Sequence, residues 1–146
     1  MDETKTYYRV NAPAFFDGTV HVDMGPVRDR FLRHLPAGAH VLDAGCGSGR
    51  DAKAFAALGC TVTAFDASPE LAALATQHCG FEVQTRTFAD VDEVALYDGI
   101  WCCASLLHVP MADMVSALCA LWTALRPGGA LYVSFKHGQA ERVVDG

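Results

Sequence analysis

Three closely spaced glycines follow a short apolar segment and an acidic residue. Gly45, Gly47 and Gly49 form a G-x-G-x-G pattern, with Cys46 inside it, and Asp43 stands two residues before the first glycine. Glycines that follow a buried strand let the backbone turn sharply and let a ligand approach it closely. The pattern therefore predicts a ligand-binding loop at the end of a strand.

The glycine spacing and the nearby charge bear on which ligand this loop binds. Dinucleotide-binding loops follow G-x-G-x-x-G, whereas Arg50 occupies the position of the last glycine in that pattern. A carboxylate at Asp43 would repel a pyrophosphate. It would attract an ammonium or sulfonium group, by about 1–4 kcal/mol at effective dielectric constants of about 80 to 20. A nicotinamide cofactor is therefore disfavoured.

Two further acidic residues follow predicted strands. Asp66 ends the second strand, where an acid can accept hydrogen bonds from both hydroxyls of a ribose; Ala67 follows it. Asp90 and Val91 follow the third strand, where a carboxylate can accept from the amine of adenine and a backbone N–H can donate to the ring. A solvated loop acid is the alternative for Asp90. The pattern predicts a nucleoside-containing cofactor.

Strand-like and helix-like segments alternate along the chain. Such alternation predicts an α/β fold with a parallel sheet covered on both faces, whose ligands bind outside the carboxyl ends of the strands. Every residue named above falls at such an end. The predicted strands are residues 40–44, 61–66, 81–86, 98–103 and 130–135, and the predicted helices are residues 26–35, 50–58, 69–79 and 110–125.

Composition and charge narrow the function further. The chain has 146 residues, of which 51% are hydrophobic, as expected for one globular domain. Its formal net charge of -6 disfavours a nucleic-acid partner, because binding phosphates requires lysine and arginine. The N-terminus lacks a signal-peptide pattern and no apolar run could cross a bilayer, so we expect a cytoplasmic protein with no membrane partner. The six cysteines show no zinc-site spacing, and no metal is expected.

From about residue 7 to residue 136, the chain resembles class I S-adenosylmethionine-dependent methyltransferases. The resemblance implies a Rossmann-like doubly wound sheet, with S-adenosyl-L-methionine as cofactor. The segment Gly49-Arg50-Asp51 and residues 134–136 are most similar to small bacterial enzymes akin to tellurite-resistance methyltransferases. Four segments carry the family resemblance, in the family's order: residues 41–49, 64–68, 97–108 and 125–131.

The resemblance also implies roles for single residues. Backbone groups of Gly45, and of Cys103 or Ala104, would hold the methionine moiety, and Asp43 would assist through its charge. Tyr8 and the aromatic N-terminal segment would fold over the cofactor as a lid; packing against the sheet is the alternative for these aromatic residues. The predicted cofactor-binding residues are Tyr8, Asp43, Gly45, Cys46, Gly47, Asp66, Ala67, Asp90, Val91, Cys103 and Ala104.

Methyl transfer from a sulfonium requires that the acceptor be aligned with the methyl group and that water be excluded. It does not require a nucleophilic side chain from the protein. His108 is the candidate base for a hydroxyl acceptor, with a packed histidine as the alternative. Arg50 is the candidate contact for an anionic acceptor, with a solvated helix start as the alternative. Residues 102–105 lack the [DN]-P-P-[YF] segment of enzymes that methylate DNA bases, so we expect a small-molecule or inorganic acceptor.

The resemblance also sets expectations for the organisation of the chain. We expect residues 1–36 to form an N-terminal lid and helical segment, and residues 37–146 to form the cofactor-binding core. Family members continue with antiparallel strands after the fifth strand, whereas residues 138–146 are short and polar, without a strand pattern. We therefore expect five parallel strands, truncation of the C-terminal antiparallel strands, and an exposed fifth-strand edge through which the chain could dimerise.

Two alternatives to this enzyme stay open. The first is a non-catalytic module or fragment that binds S-adenosylmethionine or S-adenosylhomocysteine, which turnover with a panel of acceptors would separate from an enzyme. The second is a nicotinamide oxidoreductase, which NADH binding without S-adenosylmethionine binding would reveal.

Overall fold

Six strands form one sheet in the order β3-β2-β1-β4-β5-β6. The computed structural model describes residues 12–137 and 140–145. The first five strands are parallel and β6 is antiparallel to β5, which confirms the predicted α/β fold with five parallel strands. The elements are α1 (residues 12–19), α2 (Gly25–Leu32), β1 (His40–Ala44), α3 (Arg50–Ala57), β2 (Thr61–Asp66), α4 (Pro69–Cys79), β3 (Gln84–Thr85), β4 (Tyr97–Cys103), α5 (Met114–Ala124), β5 (Leu125–His137) and β6 (Ala140–Asp145).

The alternating side chains of β4 show how helices cover both faces of the sheet. Ile100 and Cys102 belong to the hydrophobic core that contains α5. Trp101 lies on the other face, where its ring centroid is 5.2 Å from that of Phe31 in α2 and 5.2 Å from that of Phe55 in α3. A central parallel strand buried on both faces is the arrangement that the sequence predicts.

Helix α4 begins and ends where the sequence predicts. The Ser68 hydroxyl caps it by accepting from the Leu71 N–H at 3.2 Å, and Pro69 occupies the first turn. Gly80 ends it with a left-handed φ of 80°, a conformation that glycine adopts without strain. These local signals fix the connection between β2 and β3.

The third strand is shorter than predicted, because β3 spans only Gln84–Thr85 rather than residues 81–86. Val83 is buried against α4, and its N–H donates to the Thr76 side-chain oxygen at 2.9 Å instead of joining the sheet. The predicted strand of residues 130–135 is longer, since β5 spans Leu125–His137. The helix predicted from residue 110 begins instead at Met114, after a 3₁₀ turn.

The expectation for residues 138–146 is wrong, because β6 pairs with β5 in antiparallel register, with Val133 opposite Val144. The pairing satisfies backbone groups of β5 that would otherwise face solvent. The consecutive β-branched residues Val143 and Val144 also favour a strand. One antiparallel strand is therefore present, and the exposed β5 edge predicted as a dimer contact is covered in the described part of the chain.

The helices of residues 12–137 are all too short or too polar to cross a bilayer.

Candidate functional site

A cavity of about 1060 Å³ lies at the carboxyl ends of β1, β2 and β4. Typical small-molecule pockets measure about 300–1,000 Å³, so this one has room for a cofactor and a second small molecule. Tyr8 lies outside the described residues. The predicted site residues that line the cavity are Asp43, Gly45, Cys46, Gly47, Arg50, Asp66, Ala67, Cys103, Ala104 and His108.

Asp90 and Val91 do not line this cavity. Asp90 Oδ2 accepts from the Thr87 N–H at 2.8 Å and from the Thr87 hydroxyl at 3.1 Å, so its carboxylate caps the turn after β3. Val91 is buried in the core beneath α5. Thr87, Phe88 and Ala89 line the cavity at this strand end instead. The Thr-x-x-Asp spacing is a capping-box pattern, which is the sequence signal for this placement.

The glycine loop turns tightly after β1, as predicted. Gly45 and Gly47 have left-handed φ values of 73° and 56°. A Cβ on Gly45 would lie 2.5 Å from the Ser105 Cβ, and one on Gly47 would lie 3.0 Å from the Phe15 ring. The Gly45 and Cys46 N–H groups both donate to the carbonyl of Phe65, at 3.0 and 2.9 Å. The loop therefore needs glycine both for its conformation and for close approach.

Asp66 holds this loop against the end of β2. Its Oδ2 accepts from the Gly47 N–H at 2.8 Å and its Oδ1 from the Ser68 N–H at 2.9 Å. Each carboxylate oxygen has a further lone pair, so Asp66 keeps acceptor capacity for two hydroxyl groups. Burial raises the pKa of Asp66, and the two backbone hydrogen bonds oppose that rise. The geometry suits a ribose.

Asp43 is almost completely buried at the end of β1, with 2% of its surface exposed. Its Oδ2 is the one buried side-chain polar atom among the described residues that has no hydrogen-bond partner. Burial raises the pKa of Asp43 well above its usual range, Asp51 adds to the rise, and Arg50 opposes it. An unpartnered buried carboxylate oxygen is unfavourable, so an ammonium group in the cavity would supply the missing donor.

Asp51 is a residue that the sequence reasoning missed. It is 4% exposed, and its carboxylate is 2.6 Å from Arg28 Nη1 and 2.9 Å from Arg50 Nη2. It also accepts from Trp101 Nε1 at 3.0 Å. An acid in the first turn of α3 could be recognised from sequence, but its partners on α2 and β4 could not.

The end of β4 bends into the cavity. Ala104 has a φ of 51°, which is uncommon for a residue other than glycine. Its N–H donates to the Ser134 side-chain oxygen at 2.9 Å and to the Ser134 carbonyl at 3.1 Å. Backbone strain of this kind is often found at functional sites. His108 follows in a short 3₁₀ turn, where it is exposed and lines the cavity.

The described ranges, 12–137 and 140–145, contain no group of three His, Cys, Asp or Glu residues suited to a metal ion.

The order of the parallel strands, the glycine loop after β1 and the buried acid ending β2 are those of a Rossmann-like fold. Residues 41–129 match the family model described as a methyltransferase domain, and the chain belongs to that family. The predicted resemblance to class I methyltransferases is thereby confirmed, while the finer resemblance to tellurite-resistance enzymes stays a prediction.

Two similar curated proteins are ubiquinone biosynthesis O-methyltransferases. The protein of Xanthomonas axonopodis pv. citri (strain 306) is 36% identical over 120 residues, covering 76% of this chain and 49% of the relative. That of Xylella fastidiosa (strain 9a5c) is 40% identical over 120 residues, covering 76% of this chain and 48% of the relative. The chain spans about half the length of these relatives.

A similar solved structure is the 1,6-didemethyltoxoflavin-N1-methyltransferase of Burkholderia thailandensis, bound to 1,6-didemethyltoxoflavin and S-adenosylhomocysteine. Its TM-score is 0.70 and its sequence identity 30%, and the match covers 90% of this chain and 59% of that chain.

Proposed function

We propose that the chain is the cofactor-binding domain of an S-adenosylmethionine-dependent methyltransferase that acts on a small-molecule acceptor. The buried Oδ2 of Asp43 carries this proposal, because it has no donor among the residues that the structure describes and its residue lines the cavity. Membership of the methyltransferase family and the solved relative bound to S-adenosylhomocysteine support it.

The described residues fit the cofactor in four ways. Asp43 offers a carboxylate to the ammonium group of the methionine moiety, and Asp66 offers both of its oxygens to the ribose. Gly45 and Gly47 leave room for close contact, since a Cβ at either position would crowd its neighbours. Phe88 lines the same cavity and provides an aromatic surface suited to the adenine.

S-adenosylmethionine supplies a methyl group on a positively charged sulfur. This sulfur is a good leaving group that needs no assistance from the protein. The task of this chain is therefore to align cofactor and acceptor and to exclude water. Apolar side chains on the α1, α2 and β4 sides of the cavity serve the second purpose: Phe15, Met24, Leu107 and Val109. His108 would accept the proton of a hydroxyl acceptor, whereas a thiolate would need no base.

A small-molecule acceptor is supported by the room in the cavity and by the names of the relatives. The main alternative is a domain that binds the cofactor without turnover. The cytoplasmic location and the absence of a nucleic-acid partner stay predictions of the sequence.

Methyl transfer from radiolabelled S-adenosylmethionine to a panel of phenols, amines and thiols tests the proposal. We expect label in at least one small product, and we expect His108→Gln to slow transfer to phenols more than to thiols. Transfer to none of the acceptors, by a chain that binds S-adenosylhomocysteine, would favour the non-catalytic alternative. If the rates of methyl transfer to phenols and to thiols fall by the same factor, His108 does not act as the base.

A further inference from the structure

Helix α5 carries no charged residue, although one of its faces lies at the surface. All of its residues are apolar except Ser116 and Thr123. Ala117, Leu121 and Ala124 are buried on its inner face, against the sheet. A helix that is apolar all round is normally buried on every side. The outward face of α5 is therefore suited to contact with a further surface.

Four large apolar side chains follow this outward face at helical spacing. Met111, in the turn before α5, is 84% exposed, and Val115 and Trp122 are 72% and 73% exposed. Leu118 lies between them and is 38% exposed. These four residues form the α5 stripe, which offers about 500 Å² of apolar surface, as large as the patches that mark interaction sites on proteins.

The α5 stripe has a projection at one end and a hollow at the other. Met111 projects at the amino-terminal end. The hollow, of about 300 Å³, lies at the carboxyl-terminal end and is lined by Trp122, Leu125, Arg126, Pro127, Gly128 and Gly129. Such a surface is complementary to a second copy of itself related by a two-fold axis, because each Met111 then meets the hollow of the other copy.

The charges at the two ends of α5 favour the same arrangement. Asp113 directly precedes the helix, and Arg126 follows it with a side chain that is 48% exposed. Antiparallel helices place each Asp113 near the Arg126 of the other copy, whereas parallel helices would place like charges together. The midpoint between Met111 and Arg126 falls between Leu118 and Cys119, which locates the two-fold axis.

We infer that two copies of this chain pair through antiparallel α5 helices, with Met111 of each copy in the hollow of the other and a two-fold axis beside Cys119. The pairing covers about 1,000 Å² of apolar surface in total, the size at which specific interfaces begin. It differs from the dimer contact predicted at the edge of β5, which β6 covers. It does not depend on the proposed function, because the α5 stripe lies outside the cofactor cavity.

Sedimentation equilibrium over a range of chain concentrations tests the pairing. The wild type should approach twice the mass of one chain as the concentration rises. Trp122→Glu and Met111→Glu should each weaken the association at least about tenfold, since large apolar side chains at the contacts contribute most to such interfaces. Leu58→Glu is the matched control: Leu58 is 59% exposed at the end of α3, and its substitution should leave the association unchanged.

Urea denaturation at concentrations where the wild type is a monomer shows whether the three variants are folded. All three side chains are exposed, so each variant should unfold at the midpoint of the wild type. A loss of association with an unchanged midpoint then reports on the interface alone.

A short bismaleimide cross-linker tests the position of the axis. Cys119 is exposed, whereas the other five cysteines are half-buried or buried. The wild type should form cross-linked dimers, and Cys119→Ser should not. In the Cys119→Ser background, Ala112→Cys and Thr123→Cys chains should cross-link when mixed but not separately. Antiparallel pairing brings the two different positions within about 3 Å along the helix axes, while like positions stay about 13–20 Å apart.

The contrary outcomes are distinct. A wild type that stays a monomer at every concentration would overturn the inference, and so would a dimer that persists in both Trp122→Glu and Met111→Glu. A dimer that does not cross-link through Cys119 pairs through another surface. Cross-linking of Ala112→Cys chains with one another, without the Thr123→Cys chain, would show parallel helices and contradict the antiparallel arrangement.

Discussion

Gly45→Ala is expected to destabilise the domain more than Gly38→Ala, because only the first substitution crowds a neighbour. Both glycines have left-handed φ values, 73° at Gly45 and 69° at Gly38. An alanine in that conformation costs about 1–2 kcal/mol at either site. A Cβ on Gly45 would also lie 2.5 Å from the Ser105 Cβ, whereas a Cβ on Gly38 meets nothing within 4 Å. Overpacking of this kind costs about 1–3 kcal/mol more.

The structure limits how Ser105 could move away. Its hydroxyl donates to the Ala44 carbonyl at 2.7 Å, and the residue is 7% exposed. We therefore expect Gly38→Ala to lower the free energy of unfolding by about 1–2 kcal/mol, the conformational cost alone. For Gly45→Ala we expect a loss of about 2–5 kcal/mol, since the packing cost is added.

Urea denaturation of the two variants and the wild type measures this difference, through the midpoint and the slope of each transition. Gly45→Ala should also lose affinity for S-adenosylhomocysteine, because the loop that lines the cavity must shift. Equal unfolding free energies for the two variants would show that Ser105 does not lie against Gly45, and the packing of the glycine loop described above would be wrong.

Three further predictions concern other parts of the site and sheet. Asp66→Ala should weaken binding of S-adenosylhomocysteine by about 1–3 kcal/mol, as measured by calorimetry. The exposed residue Asp92 provides the control variant Asp92→Ala, and equal affinities for the two variants would show that Asp66 does not bind the ribose. Ala104→Gly should raise the unfolding free energy by about 0.5–1 kcal/mol, since relief of the left-handed backbone strain exceeds the entropic cost of glycine. The control is Ala54→Gly within α3, and an equally large fall in unfolding free energy for both variants would show that Ala104 is not strained. The Arg86 guanidinium and the Tyr97 hydroxyl lower the pKa of Glu93 to about 2, so its stabilising effect is complete above its unfolded pKa and is lost as the pH falls from about 5 to about 2. The difference in unfolding free energy between the wild type and Glu93→Gln should shrink over that range, and a constant difference would rule out the ion pair.

The parts of the fold that depend on residues close together in the sequence could be predicted from it. The cap of α4 by Ser68 and its end at Gly80 follow from local backbone preferences. The glycine loop and the acid ending β2 were recognisable because they lie next to strands with clear apolar patterns. The lining of the cavity by Asp43 and Asp66 then follows from the rule that parallel strands present their carboxyl ends on one edge.

The parts that depend on distant contacts could not be predicted. Asp51 is held by Arg28 and Trp101, which are 23 and 50 residues away, so no local pattern reveals the cluster. The strand β6 forms because the edge of β5 offers backbone partners, and within its short sequence only Val143 and Val144 indicate a strand. Asp90 differs from both: its capping pattern with Thr87 is visible in the sequence, whereas its contact with adenine stays a prediction.

Calorimetric titration of the wild-type chain with S-adenosylhomocysteine, with NADH as the comparison ligand, tests the central claim most directly. We predict one site per chain for S-adenosylhomocysteine and no binding of NADH, because Asp43 would attract the ammonium group of the first and repel the pyrophosphate of the second. Binding of NADH alone, or of neither ligand by a folded chain, would contradict the assignment of this cavity to S-adenosylmethionine.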